Sequence, residues 1–448
     1  MRSFSKVTAL AFLAGAGFLL PACKKEPTPT QITPAYSGVV VRSWNEKFLE
    51  TERYAEGYRP APATRALAYL GLSAYEACIQ GLPGFKSMAA LYPGLVIPPL
   101  KNNAVLHWPT VVNASYAYLM QRFFPFDEQA ILLLEESNNA AYQAKISSSE
   151  FTAAQNYGRA VAAAVWEWSK TELGHDAYLD PFGSYNWQFN YQQVGSWVPN
   201  IPGPGQPSFA YWGTVRTFAI QDVADKLCAA PTAPFGGNDS LYYLAQAMDV
   251  YSQSLSVSAE NLWIAEFWND DFLYLTFSTG SRWLSIANQV YQQEEVSLET
   301  ALYCNAKLGL ALHDATVAGW FSKFHYNRES PETLIRREID PNWQPLLSNP
   351  ILGETDISPN FPSYPSEYAT MGAAAAAVLT HIFGDGYAIT DRSHENAGDP
   401  RSFNSFQEMA GENAESRIIV GVNLRMDREQ GYQLGYKCGD KVNALPWN

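Results

Sequence analysis

Apolar residues recur every three or four positions along most of the chain, and that spacing confines it to helices before any other feature is weighed. VVVRSWNEKFLETERY, PATRALAYLGLSAYEACIQGL, FDEQAILLLEESNNAAYQAKI and TAAQNYGRAVAAAVWEWSKTE all carry it, and no segment alternates convincingly as a strand must. Helices are also expected over 239–254, 259–269, 280–296 and 298–324, through the small-residue run of YPSEYATMGAAAAAVLTHIFGD at 364–385, and over 402–421. Asp127 stands at an N-cap position, and Ser148 or Ser149 can cap the next helix. The expected fold class is all-α, with no visible internal repeat. One long interruption, 174–218, is rich in proline, glycine and aromatic residues; a loop of that length is expected to cover a site or to pack as a cap.

The first residues read differently. MRSFSKVTALAFLAGAGFLLPACKKEP has basic Arg2 and Lys6, an apolar run over 7–20 and a small residue before Cys23, the pattern of an export signal too short to span a bilayer comfortably. LPAC resembles a bacterial lipobox, with Pro21 as a departure; cleavage would then leave Cys23 as a lipid anchor, the alternative being an ordinary cleaved signal. The expected organisation is a signal over 1–22, a Pro/Thr tether over 23–38, an N-terminal helical unit over 39–260 that includes the long loop, and a C-terminal helical unit over 261–448. Export to the bacterial periplasm or cell surface follows, with membrane contact through the lipid alone. Cys78, Cys228, Cys304 and Cys438 are scattered without CxxC spacing, which indicates neither a zinc site nor a disulfide framework. The formal net charge of −14 becomes still more negative when Arg2 and Lys6 leave, and no basic cluster follows, so nucleic acid is not an expected partner.

Chemistry concentrates in three C-terminal clusters. They are SKFHYNRESPETLIR with Lys323, YPSEYAT with Ser366, and ESRIIVGVNLRMD with Ser416, Arg417 and Asp427. Each lies at or near an expected helix end, where backbone N–H groups, lysine and arginine can bind an oxyanion. Together they resemble the signature of the vanadium-dependent haloperoxidases and type 2 phosphatidic acid phosphatases: K-x6-R-P, then P-S-G-H, then S-R-x5-H-x3-D. Lys323 is followed at that spacing by Ser330 and Pro331, Pro365–Ser366 by Glu367 and Tyr368, and Ser416–Arg417 by Asn423 and Asp427. GYRPAPATRALAYLGLSAYEA, IAEFWNDD, DPNWQPLL and RSFNSFQEMA extend the resemblance over nearly the whole mature chain. It implies two packed helical bundles with one oxyanion pocket in the C-terminal half. Catalytic positions would fall at Lys323, Ser366, Tyr368, Arg417 and Asn423, and oxyanion-binding positions at Lys323, Ser330, Ser366, Ser416 and Arg417.

The departures carry as much information as the matches. In the family the residue at the Asn423 position is the histidine that bonds vanadium or attacks phosphorus, and the one at Tyr368 is an acid–base histidine. An amide is neither a useful nucleophile nor a good vanadate ligand, and a phenol is a poor proton shuttle. Serine stands where the resemblance implies an arginine at 330, and Glu367 adds a negative charge, so vanadate is not an expected cofactor. Two readings remain. In one, Ser366 caps its helix, Glu367 satisfies the helix dipole, Lys323 and Arg417 persist as ion-pair partners of Glu367 and Asp427, Tyr368 fills the pocket, and the chain is a non-catalytic binding protein. In the other, Glu367, Asn423 and Asp427, with Asp270 and Asp271 as added ligands, hold Mg²⁺ or Ca²⁺ for chemistry on a phosphorylated or prenyl diphosphate small molecule, with residual family chemistry behind both. Arg328 could replace the missing arginine only on an irregular backbone; His325 is expected to pack near a helix end, and His381 to sit as a cation late in its helix.

Overall fold

The computed structural model describes residues 36–100, 106–200, 206–232, 238–270, 272–395 and 398–448. Residues 1–35, with the expected signal, Cys23 and most of the tether, lie outside them, as does Asp271. The helices run α1 (Val39–Glu52), α2 (Pro62–Cys78), α3 (Trp108–Phe123), α4 (Glu128–Gln143), α5 (Ser148–Ser169), a single turn α6 (Trp187–Asn190), a second α7 (Val223–Lys226), α8 (Asn238–Leu255), α9 (Ala259–Phe267), α10 (Thr279–Gln293), α11 (Leu298–Tyr326), α12 (Pro331–Glu338), α13 (Glu367–Phe383), α14 (Phe406–Ile419) and α15 (Arg425–Asn443). The fold is all-α, as expected.

At 29 residues α11 is the longest of these, about 43 Å at the rise of an α-helix. It is buried along most of its length and so shows no single apolar face. It packs against α2 on one side and α13 on the other. One apolar core runs from Val40 to Trp447, so the chain is continuous in packing across residue 260. The tightest pairing is α13 on α15. Gly431, Gly435 and Gly439 are spaced by four along α15; a Cβ at Gly431 would lie 2.5 Å from the Ser366 carbonyl and one at Gly439 2.7 Å from that of Ala374. The small-residue run of α13 and these three glycines therefore let two backbones meet, which fixes the start of α13 against α15.

Local departures from expectation have local causes. Asp127 precedes α4 without capping it, because its carboxylate instead accepts the Thr51 hydroxyl at 2.6 Å. The cap of α5 is Ser147, which accepts the Glu150 N–H at 3.2 Å. A two-stranded hairpin pairs β1 (Ile389–Asp391) antiparallel to β2 (Arg401–Phe403); three residues are too few for alternation to be legible. Its second strand takes the residues expected to open the last-but-one helix, which starts at Phe406 behind Ser405. His381 does reach the last turn of α13, but burial and the charge of Lys307 lower its pKa, against the expected cation. His325 is exposed at the end of α11 and stacks on Phe321. Cys78, Cys228, Cys304 and Cys438 are all free thiols. Among the described residues no helix is long and apolar enough to cross a membrane.

The long loop is pinned to α11 and α12. Asp314, buried on α11, accepts the backbone N–H groups of Phe218, Ala219 and Ile220 at 2.8, 2.6 and 3.1 Å. The neighbouring His313 meets the Arg216 carbonyl through Nε2 at 2.8 Å. Further along, Asn200 donates to the Ser330 hydroxyl at 2.5 Å and to Glu332 at 3.0 Å, and accepts from Thr333 at 2.9 Å. The loop thus lies over the C-terminal ends of α11 and its continuation, as a cap.

Candidate functional site

Four chain turns bring the three clusters together. α11 ends at Asn327, whose left-handed φ of 47° stops the helix just after Lys323. Ser330 then caps α12, accepting the Thr333 N–H at 3.2 Å. Ser366 caps α13, accepting from Ala369 at 3.5 Å. Arg417 lies in the last turn of α14, and after Gly421 (φ 81°) the chain turns into α15, where Asp427 accepts the Leu424 N–H at 2.8 Å. Lys323, Ser330, Ser366, Glu367, Tyr368, Ser416, Arg417, Asn423 and Asp427 are all buried.

Lys323 and Glu367 lie face to face. The ammonium is 2.9 Å from Glu367 Oε2, with both side chains removed from solvent. The contact is one of charge, because the aligned bonds of Nζ go to the carbonyls of Pro362 at 2.9 Å and Ser363 at 3.0 Å. The ring of Phe361 lies 4.9 Å from the same ammonium. Glu367 therefore does not fold back onto its own helix as a dipole cap. Beside it, the Arg417 guanidinium sits over the Tyr368 ring, 4.1 Å from the centroid.

Asn423 and Asp427 form a second group, joined to the first through Ser363. The Ser363 carbonyl accepts Asn423 Nδ2 at 3.2 Å as well as Lys323, and its hydroxyl donates to Asp427. Asn423 Nδ2 also reaches Asp427 at 3.4 Å. Asp427 thus takes hydrogen bonds from Ser363, Leu424 and Asn423. Burial pushes its carboxyl up to about 6, although the Ser363 hydroxyl and the Leu424 N–H favour the anion. Ser416 spends its hydroxyl within its own helix, on the Asn413 carbonyl at 2.6 Å. Arg328 does stand on irregular backbone, but its charge acts on the Tyr243 hydroxyl of α8.

Glu367 and Tyr368 line a cavity of about 230 Å³ together with Arg59, Asp270, Ser358 and Phe361. The charged groups on its wall are backed from within. Asp270 is 3.3 Å from Arg282 and 2.9 Å from His394. Arg282, fully buried, also pairs with Asp391 at 2.9 Å; burial alone would raise the Asp391 pKa, yet Arg282 and the bonds from Ser393 and Gln289 hold it below the usual carboxylate value. Arg59 is 3.5 Å from buried Glu52 and donates to the Phe272 carbonyl at 2.6 Å. Among the described residues no three His, Cys, Asp or Glu side chains converge as metal ligands; Asp270 is drawn to Arg282 and Glu367 to Lys323, while Asp427 is held by Ser363. The residues that sequence missed are Ser363, Phe361, Arg59, Arg282 and His394. Only Ser363 and Phe361 had a signal within reach, as neighbours of Pro365 in FPSYPS.

Comparison with known proteins agrees with this arrangement. Residues 337–445 match a family model described as the VCPO second helical-bundle domain. A bacterial vanadium-dependent iodoperoxidase superposes with a TM-score of 0.79 at 24% identity, over 94% of this chain and 98% of its own. The holo form of a bacterial vanadium-dependent chloroperoxidase gives 0.65 at 15% identity over 88% and 93%, and an apo form 0.58 at 15% over 86% and 94%. No curated protein matches the chain by sequence. The chain thus shares the fold of the bacterial vanadium haloperoxidases over nearly its full described length, and the match to the second helical bundle spans α13 to α15.

Proposed function

We propose that this chain keeps the haloperoxidase fold as a non-catalytic binding protein and has given up vanadate chemistry. The observation that carries the reading is the buried contact of Lys323 with Glu367. A cation that would hold an oxyanion already has its counter-charge inside the protein. Vanadate does not fit the residues present: the group at 423 is an amide whose NH₂ donates to Ser363 and Asp427, and the helix start that would face the anion begins with a carboxylate. The iodo- and chloroperoxidase chemistry of the structural neighbours is not expected here.

The test is vanadium NMR of the full chain titrated with orthovanadate, alongside bromide and iodide oxidation by peroxide. No specific vanadate signal and no halide oxidation are expected. Low-micromolar vanadate binding or turnover of either halide would overturn the proposal. The combined variant Ser330→Arg, Glu367→Gly, Tyr368→His and Asn423→His is expected to gain vanadate binding, since it restores both the cations and the ligand. Thermal stabilisation of the natural chain by pyrophosphate with Mg²⁺, and by neither alone, would instead support the metal-assisted diphosphate reading. We further propose export and lipid attachment at Cys23; Cys23→Ala should move the protein from the membrane fraction to the soluble one.

A further inference from the structure

A second and larger cavity, of about 450 Å³, opens within the long loop. Its wall is mostly apolar: Leu173, Phe182, Phe209, Tyr211, Trp212 and Val215. The volume falls in the range of small-molecule sites, which pair an apolar lining with a few fixed polar groups. It is distinct from the cavity at Glu367, and the chain passes between them: Ser208 lines one and Phe209 the other.

Two features mark it as built. Phe209 holds a left-handed φ of 55°, a conformation that costs an aromatic residue strain. It is kept there by bonds at both ends, its N–H to the Pro181 carbonyl at 2.6 Å and its carbonyl from the Trp212 N–H at 2.8 Å. The opposite wall is set by Asp180, whose carboxylate accepts the Gly183 N–H at 3.0 Å. Second, the mouth leaves large apolar groups in water: Leu173 is 82% exposed, Tyr211 55% and Phe182 43%.

We infer that this pocket binds an uncharged, largely apolar small molecule, ring-shaped or a short chain. No basic side chain lines the pocket, Asp180 does, and the whole chain is strongly negative; anions are disfavoured there. The inference does not depend on the state of the Glu367 cavity, and vanadate binding at that cavity would leave it intact.

The test uses one probe on the full chain: propionyl-dimethylaminonaphthalene, an uncharged, largely apolar ketone whose emission reports the polarity of its surroundings. Saturable, blue-shifted binding of the ketone with quenching of tryptophan emission is expected. Ala210→Trp, which fills the pocket from its rim, should weaken it more than tenfold, and Leu173→Asp at the exposed mouth several-fold. Circular dichroism and melting of each variant report folding, and Leu173→Asp is at a site exposed enough to tolerate it. No saturable ketone binding, or binding unchanged in both Ala210→Trp and Leu173→Asp, would overturn the assignment.

Discussion

The buried contact between Lys323 and Glu367 can be weighed by a double-mutant cycle. At 2.9 Å the Coulomb attraction of two unit charges is about 6 kcal/mol at an effective dielectric constant of 20. Much of that only offsets the desolvation of the two charges, so the pair as a whole adds little to stability. Breaking it from one side is different. Glu367→Gln keeps the shape and leaves Lys323 its two carbonyl partners, but strands a buried ammonium; the cost is about 3 kcal/mol. Lys323→Met strands the carboxylate and leaves the Pro362 carbonyl unmatched, for about 4 kcal/mol. The double variant removes both charges, and should lose only about 1 to 2 kcal/mol, chiefly for the Pro362 carbonyl. The coupling energy is then about 5 to 6 kcal/mol and should not fall below about 2 kcal/mol. Equilibrium urea unfolding followed by tryptophan emission measures all four corners of the cycle. Additivity of the single changes to within about 0.5 kcal/mol would refute the claim that the two charges hold each other. The same variants carry a functional readout: phosphate should raise the melting temperature of Glu367→Gln, in which Lys323 has lost its internal counter-charge, and not that of the natural protein.

Three other perturbations test separate parts of the structure. Asp427 has its folded pKa raised to about 6 from 3.8, so its contribution is fully present below the unfolded value and is lost as pH rises through the folded one; Asp427→Asn should gain on the natural chain by about 3 kcal/mol between pH ~4 and pH ~7, and a difference independent of pH would contradict this. Asn200→Ala removes the loop's bonds to Ser330, Glu332 and Thr333 and should cost about 1 to 2 kcal/mol locally, read as faster proteolysis within 182–200 with little change in melting temperature. Gly435→Ala would push a methyl into the Thr370 carbonyl, force α13 from α15 and cost about 3 kcal/mol, visible as a lower urea midpoint.

Much of the helical order was legible because periodicity is a local property. The helix expected over 298–324 is found over Leu298–Tyr326, and that over 239–254 over Asn238–Leu255. What failed was whatever a tertiary partner decides. Asp127 has the chemistry of a cap and the position of one, yet Thr51, far away in sequence, takes its carboxylate. His381 has the place of a helix-end cation, but burial and Lys307 act against the charge. The hairpin at β1 and β2 escaped because three residues make no pattern. At the site, Ser363 joins Lys323, Asn423 and Asp427, while Glu367 faces Lys323 and Arg417 lies over Tyr368; motif spacing could not say which acid faces which base. Asp270 shows the limit: in sequence an acid after a helix, in space a carboxylate shared between Arg282 and His394.

Magnitudes also separate the two accounts of the acid that opens α13. As a favourable charge at a helix N-terminus, Glu367 would contribute about 0.3 to 1 kcal/mol, and a glutamine or serine there would serve nearly as well. As the counter-charge of a fully buried ammonium it stands against a loss of about 3 kcal/mol or more. The second effect is the larger, and it acts on the one lysine that the signature assigns to the anion. Neutralising that lysine from inside leaves the helix start intact, with Ser366 still capping and α15 still packed against it. The architecture is thus kept, at a TM-score of 0.79 against the iodoperoxidase, with Glu367 set against Lys323 inside it.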